Sequence, residues 1–232
     1  MILSRILPAA ALALCLTASA YAQCGMVCPQ MDEASKKFKN VEVNVTTDNF
    51  TKSIKVHSRQ TGPMYIERTG KSQTMGLLNY DIDDNGVTTK SASKIVAFDG
   101  DTLQVYSPGV NQVDVFKAGA NQAKYNAFLA LSFGSSGTDL AAAWNITDQG
   151  PETIDGVKTE KLDLVSKDDS VKQSFPHVTI WVDPTRAIAL KQIFFSRNGD
   201  IRTTTYTNIK LNTKIDKKPY TIKSSAQRIP HD

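Results

Sequence analysis

The sequence predicts a mainly β protein of the α+β class, in which an antiparallel sheet has its apolar face covered by a few helices. Short segments of alternating apolar and polar residues recur along the chain and are separated by Gly and Pro turns, as in Ile95–Phe116. Helical periodicity is confined to a few stretches. A sheet with one apolar face needs a second layer, which the helices supply.

The first predicted element is a helix over Pro29–Asn40, because Met31, Ala34 and Phe38 recur at helical spacing. Strands are predicted next, because apolar residues then alternate with polar ones. The alternating apolar positions are Val41, Val43, Val45, Ile54, Val56, Met64 and Ile66.

The hairpin Ile95–Phe116 follows, with turns at Asp99-Gly100 and Ser107-Pro108-Gly109. Helices are predicted over Asn121–Phe133 and Asp139–Trp144, the second capped by Ser136 or Thr138. From Glu152 onward the pattern is again that of strands. Their turns are predicted at Asp155-Gly156, Asp183-Pro184 and Asn198-Gly199-Asp200.

The N-terminus has the pattern of a secretory signal. Arg5 precedes the apolar run Ile6–Leu16, and small residues end at Ala20-Tyr21-Ala22, so residues 1–22 are predicted to be cleaved. A lipoprotein signal is the alternative because Cys24 follows closely, but Gln23 stands where a lipobox needs a small residue. We therefore expect a periplasmic product, residues 23–232, forming a single domain.

Composition excludes some functions. The chain has 27 Lys and Arg against 23 Asp and Glu, which is close to neutral, and the signal segment accounts for one of the basic residues. Nucleic-acid binding proteins concentrate basic charge, so no nucleic-acid partner is expected. No second apolar segment reaches spanning length, and no linker or repeat divides the chain. We expect a monomer.

Cys24 and Cys28 are predicted to form a local disulfide, because export exposes thiols to oxidation. No neighbouring His or second Cys/His pair indicates haem or zinc. The segment Asp81–Gly86 imitates the start of a calcium loop, but Ala92 occupies the twelfth position, so a hairpin turn is the better interpretation. Neither a metal nor a cofactor is expected.

The sequence resembles the outer-membrane lipoprotein carrier (LolA-like) family, within the outer membrane lipoprotein-sorting superfamily. The segment Gly62–Arg68 is similar to a family strand, with Thr69 in place of a proline. Three downstream segments, 128–144, 150–164 and 181–200, are similar to a branch of the same superfamily. The family hairpin is matched by Asp99, Gly100, Leu103, Tyr106, Pro108 and Gln112.

The resemblance implies an incomplete β-barrel whose concave side is lidded by helices, leaving a cavity for acyl chains. It also implies that Arg68 hydrogen-bonds backbone carbonyls of the lid and holds the empty carrier closed. Arginine suits this role because it offers five donors and stays charged. The alternative is a solvated arginine paired with Glu67 or another acid.

Other candidate ligand-binding residues are apolar. The run Ala127–Leu131 can be ordinary core, cavity lining or both, and the next helix carries the same ambiguity. The candidates besides Arg68 are Ile66, Val105, Phe128, Leu131, Leu140 and Trp144.

The expected function is a periplasmic carrier that moves lipoprotein acyl chains, or another lipid, between the inner and outer membranes. By resemblance its partners are an inner-membrane ABC-type release complex and an outer-membrane acceptor. No catalytic residue is expected. The alternatives are an envelope sensor or regulatory module that engages a membrane-anchored protein, and a secreted hydrolase using Ser135 or Ser136.

Overall fold

Fourteen strands form one sheet in the computed structural model, which describes residues 24–70 and 72–231. The predicted signal peptide lies outside these residues. Within them, no helix is long and apolar enough to span a bilayer. The helices are α1 Val27–Lys37, α2 Gln122–Leu129, α3 Gly137–Ala143 and α4 Asp169–Ser174, with 3-10 turns at Gly119–Asn121 and Lys218–Tyr220.

The strands are long near the middle of the sheet and short elsewhere. They are β1 Asn40–Thr51, β2 Val56–Thr69, β3 Ser72–Leu77, β4 Tyr80–Ile82, β5 Thr88–Lys90, β6 Lys94–Asp99, β7 Thr102–Ser107, β8 Gln112–Lys117, β9 Trp144–Ile154, β10 Val157–Ser166, β11 His177–Asp183, β12 Ile188–Phe195, β13 Ile201–Leu211 and β14 Gln227–His231.

The sheet is curved and does not close into a barrel, which confirms the predicted fold class. The strand order is β14-β8-β7-β6-β3-β2-β1-β13-β12-β11-β10-β9, with β4 paired to β2 and β5 to β4. All pairings are antiparallel except β14 with β8. Three register shifts interrupt the ladders of β1/β13, β9/β10 and β11/β12. Such bulges bend strands and increase their twist.

Alternate residues of the long strands point to the concave face. Most of these residues are apolar and buried. Two clusters of buried side chains fill the space between this face and α1, α2 and α3. The β9–β12 cluster includes Cys24, Cys28, Met31, Ala127, Leu131, Leu140, Trp144, Ile146, Leu162, Leu164, Val178, Ile180 and Phe194. The β1–β2 cluster includes Phe38, Val41, Val43, Met64, Ile66, Phe133, Ile188 and Leu190.

The C-terminal segment covers part of the outer face. Tyr220 stacks on Tyr65 with ring centroids 5.2 Å apart. Gly76 allows this approach, since a Cβ there would lie 2.5 Å from the Tyr220 ring. The chain then adds β14 alongside β8. β14 is therefore the edge strand on this side of the sheet.

Some predicted element boundaries are wrong. Helix α1 begins before Pro29 and ends at Lys37, and α2 ends at Leu129 rather than Phe133. The prediction that Trp144 ends a helix is also wrong: it opens β9, where it pairs with Ser166. The prediction of a strand at Ile54 is also wrong, because Ile54 lies in the β1–β2 turn. Alternation indicates a strand only where one face is buried, and the end of this hairpin has no core beside it.

Helix α4 lies between β10 and β11, within the stretch predicted as strands. The Asp168 side chain caps it by accepting the Val171 N–H at 3.0 Å. A capping Asp followed by a second acid was the local signal for this helix. It was outweighed by the strand pattern on either side.

Candidate functional site

Arg68 joins the sheet to the helical layer. Its Nη1 donates to the Gly134 carbonyl at 2.9 Å and to Ser35 Oγ at 3.3 Å, and its Nη2 donates to the Ser35 carbonyl. The guanidinium carbon lies 5.3 Å from the centroid of the Phe38 ring. Ser35 is in α1 and Gly134 is in the connection from α2 to α3, so one side chain holds both parts of the layer. We call helices α1, α2 and α3, together with the α2–α3 connection at residues 130–136, the lid.

The register of β2 explains this placement. Arg68 pairs with Gln73 of β3 and shares the concave face with Ile66, which is two residues earlier. Glu67 points to the other face, where its carboxylate accepts a hydrogen bond from Lys217. The alternative pairing of Arg68 with Glu67 is therefore not the arrangement observed. Arg68 makes the backbone-carbonyl contacts that the sequence resemblance implies.

Gly134 is closely surrounded by its neighbours in the lid. Its φ is +75°, and a Cβ on it would lie 2.2 Å from Cγ of Phe38. Its N–H donates to the Ala187 carbonyl at 2.8 Å. Its carbonyl also accepts Ser35 Oγ at 2.6 Å. This position requires glycine for both backbone conformation and space.

We expect Gly134→Ala to lower the free energy of unfolding by about 2–4 kcal/mol, because a strained φ and an overpacked contact with Phe38 add together. Urea denaturation of the purified variant measures this. Gly109→Ala is the matched control, since no heavy atom lies within 4 Å of a Cβ built there. Equal stability of the Gly134 variant and the parent would contradict the close packing.

Other sheet side chains also donate hydrogen bonds to lid groups. Gln192 of β12 donates from Nε2 to the Leu131 carbonyl at 2.9 Å. Trp144 donates from its indole nitrogen to the Ala127 carbonyl at 2.9 Å. Gln73 donates to the Ser132 hydroxyl. Together with Arg68 these contacts satisfy the end of α2 and the loop that follows it, where helix carbonyls otherwise have no partner.

Sequence reasoning missed Gln192 and Gln73. The available signal for Gln192 was a polar residue in the row Ile188, Leu190, Gln192, Phe194, which otherwise alternates apolar residues on the concave face. Tyr206 orients it, since the Tyr206 hydroxyl lies 3.4 Å from Gln192 Oε1. Burial raises the pKa of Tyr206 above its usual range, so the hydroxyl stays a donor.

The lid helices are also tied to each other. Asp32 of α1 accepts the Thr138 N–H at 2.9 Å and the Thr138 hydroxyl at 3.0 Å. Gly137 allows α3 to approach α1, because a Cβ there would lie 2.3 Å from Cα of Cys28. Cys28 is bonded to Cys24, and both are buried. Helices α1 and α3 therefore form a connected unit.

The apolar candidates lie in the packed core beneath this lid. Leu131, Leu140 and Trp144 belong to the β9–β12 cluster and Ile66 to the β1–β2 cluster. Phe128 is half-buried, with its ring 6.3 Å from that of Phe175 in an edge-on arrangement. Their side chains fill the space between lid and sheet, so lipid between the two layers requires the lid to move.

Val105 is separate from the other candidates. It lies on β7 opposite Val96 and Asp114, and it is half-buried. On the same face Phe98 contacts Tyr125 of α2, with ring centroids 6.3 Å apart. Val105 thus belongs to the concave face beyond the main area that the lid covers.

Two clefts adjoin Arg68. One, of about 760 Å³, lies between α1 and the start of α3 and is lined by Asp32, Ser35, Phe38 and Ser136 among others. The second, of about 980 Å³, runs between α2 and α3 as far as Lys167. Both volumes are in the range of ligand sites. Their linings mix polar and apolar groups, as expected at the margin of a closed lid.

The remaining chemical candidates make hydrogen bonds with nearby backbone groups. Ser135 donates its hydroxyl to the Leu129 carbonyl at 2.7 Å, and Ser136 caps α3 by accepting the Asp139 N–H. Asp81–Gly86 forms the end of β4 and the β4–β5 turn, where Asp83 accepts backbone N–H groups. Residues 24–70 and 72–231 contain no group of three or more His, Cys, Asp or Glu placed to hold a metal ion.

Comparison with known proteins gives matches in structure. No family model matches the chain, and no curated protein matches its sequence. An uncharacterized conserved protein from Thermus thermophilus matches with a TM-score of 0.53 and 9% identity, over 89% of this chain and 98% of that one. A putative outer membrane lipoprotein-sorting protein domain from Vibrio parahaemolyticus has a TM-score of 0.45 and 9% identity, over 87% and 97%.

A third match is a chain of the Pseudomonas aeruginosa MucA/MucB complex, with a TM-score of 0.48 and 12% identity, over 88% of this chain and 62% of that one. The likeness to the Thermus protein is one of fold. The solved structures that match also include a LolA superfamily protein from Nitrosomonas europaea. At these identities the likeness does not extend to cargo or partner.

Proposed function

We propose that the protein is a periplasmic carrier that binds the acyl chains of lipoproteins, or another lipid, between its lid and the concave face of its sheet. It would move them between the inner and outer membranes. The observation that supports this most is the set of polar contacts from Arg68, Gln192 and Trp144 to lid carbonyls above an otherwise apolar face. If the lid opens, it exposes an apolar face that a lipid can occupy, and the directed bonds favour closing again.

Magnitudes favour this interpretation. Burying acyl chain is worth ~0.8 kcal/mol per methylene, so a sixteen-carbon chain represents on the order of 12 kcal/mol relative to water. Each lid hydrogen bond contributes only about 0.5–1.5 kcal/mol net, and more for a charged donor such as Arg68. Cargo can therefore outweigh these contacts, and the contacts recovered on closing favour unloading.

The carrier makes and breaks no bond, so no residue is assigned a catalytic role. Its donor would be an inner-membrane ABC-type release complex and its receiver an outer-membrane acceptor, with the protein acting as a monomer. The cargo would move toward the membrane whose acceptor takes it up when the lid closes.

Protein purified gently from its native periplasm is expected to carry acylated protein or phospholipid. Native mass spectrometry followed by organic extraction identifies the cargo, and displacement of a fluorescent fatty-acyl probe measures the affinity. A uniformly empty protein that also fails to bind the probe would reject the proposal. A stable protein partner recovered without lipid would instead favour an envelope regulatory module.

A further inference from the structure

One end of the sheet exposes apolar side chains that the lid site does not use. Ile54 in the β1–β2 turn is 66% exposed and Val56 is 49% exposed. The last buried residue of β1 before this turn is Val45. β1 pairs with β13 as far as Phe50, so the turn that carries Ile54 lies at the end of the paired strands.

Just inside this tip, five neighbouring strands place ring or apolar side chains in one row on the outer face. Phe50 lies opposite both His57 and Ile201, Ile201 opposite Phe195, and Phe195 opposite His177. Residues directly opposite share a face. The ring centroids of Phe50 and His57 are 4.9 Å apart and those of Phe195 and His177 are 4.2 Å apart. None of the five is fully buried.

Basic residues surround the tip. Lys52 and Lys55 are in the β1–β2 turn and Arg197 is in the adjacent β12–β13 turn. The two turns are joined, because the Lys52 N–H donates to Asp200 Oδ1 at 2.8 Å. The Lys52 side chain also lies against Gly199, where a Cβ would be 2.4 Å from its Cδ.

Two carboxylates beside the row are hydrogen-bonded to its histidine rings. Asp48 bonds to His57 Nδ1 at 2.8 Å, and Asp163 bonds to His177 Nδ1 at 2.8 Å. These bonds fix the two rings in the row. The β4–β5 turn, which carries Asp83 and Asp84, lies beyond β2 and borders the basic area.

We infer that this end of the molecule, which consists of Ile54, Val56 and the row on the outer face, docks on a bilayer surface that carries anionic lipids. Exposed aliphatic side chains on a turn suit a deformable partner better than a rigid groove. Rings with a polar partner favour the headgroup region, and flanking Lys and Arg attract anionic headgroups. This surface is separate from the lid, so the inference does not rest on the proposed cargo.

Flotation with vesicles tests the inference on the mature chain, residues 23–232. We expect binding to vesicles of phosphatidylcholine and phosphatidylglycerol at 7:3, and much weaker binding to phosphatidylcholine alone. The double variant Ile54→Ser/Val56→Ser should bind the mixed vesicles at least about tenfold more weakly, because two aliphatic side chains no longer insert. Lys52→Gln and Lys55→Gln should each cost about fivefold and reduce the salt dependence.

Val110→Ser is the matched control, since Val110 is 72% exposed but lies in the β7–β8 turn. It should bind mixed vesicles as the parent does. All these variants should bind the fatty-acyl probe normally, which separates docking from cargo uptake. Equal losses for Val110→Ser and the tip variants would overturn the inference, as would a parent that ignores mixed vesicles.

Ile54→Trp provides a second readout that does not depend on loss of binding. The natural Trp144 and Trp181 are 1% and 4% exposed, so they contribute little change on docking. Emission from the added Trp should shift to shorter wavelength with mixed vesicles and not with phosphatidylcholine vesicles. An unchanged spectrum at vesicle saturation would overturn the inference.

Discussion

Arg68→Leu is expected to bind lipid about 10–100-fold more tightly than the parent and to release it to acceptor liposomes more slowly. Arg68 donates to the Gly134 and Ser35 carbonyls in the closed structure. Charged hydrogen bonds contribute about 1.5–3 kcal/mol each, and lid opening must break these. Removing them raises the population of the open state and therefore the apparent affinity.

Equilibrium probe binding and liposome transfer must be measured on the same preparation. Arg228→Leu is the control, because Arg228 is exposed on β14 and bonds only to Gln104 among the contacts described for its side chain. It should leave both quantities unchanged. If Arg68→Leu also left both unchanged, its contacts with the lid would have no part in loading or unloading.

Leu140→Ala is expected to destabilise the protein by about 2–5 kcal/mol, the usual cost of a cavity at a fully buried leucine. Leu140 is completely buried on α3 within the β9–β12 cluster. For a chain of this size we expect thermal unfolding to shift down by roughly 5–15 °C. Differential scanning calorimetry measures the shift.

Ala142→Ser, on the exposed side of the same helix, serves as the control for Leu140→Ala and should unfold close to the parent temperature. Phe128→Gln provides a contrast, since Phe128 is only half-buried beside α4. We expect it to weaken probe binding with a smaller loss of stability. A Leu140→Ala variant with parental stability but weak probe binding would place Leu140 in the ligand cavity rather than the core.

Local chemistry was sufficient to predict several elements. The Ile95–Phe116 meander forms with turns at Asp99-Gly100 and after Ser107, because alternation and turn residues are properties of adjacent positions. Ser136 caps α3 as predicted, since capping needs only a hydroxyl and a nearby N–H. Trp144 was assigned to the wrong element because a short helix and a strand start are hard to distinguish from six residues.

The lid contacts show where sequence reasoning ends. Arg68 was singled out only by resemblance, since nothing adjacent to it in sequence specifies Gly134, which is 66 residues away. Gln192 reaches Leu131 across 61 residues. A donor and an acceptor at such separation meet only if strand register and the curvature of the sheet bring them together.

The sequence by itself determined the mainly β class, the apolar rows of the strands and the main turns, because these depend on side-chain periodicity and backbone preference over a few residues. Tertiary structure alone decided which carbonyls Arg68 and Gln192 satisfy. It also decided that Phe50, Ile201 and Phe195 form one row beside an exposed tip. Long-range register depends on the packing of many strands together, so no local segment specifies it.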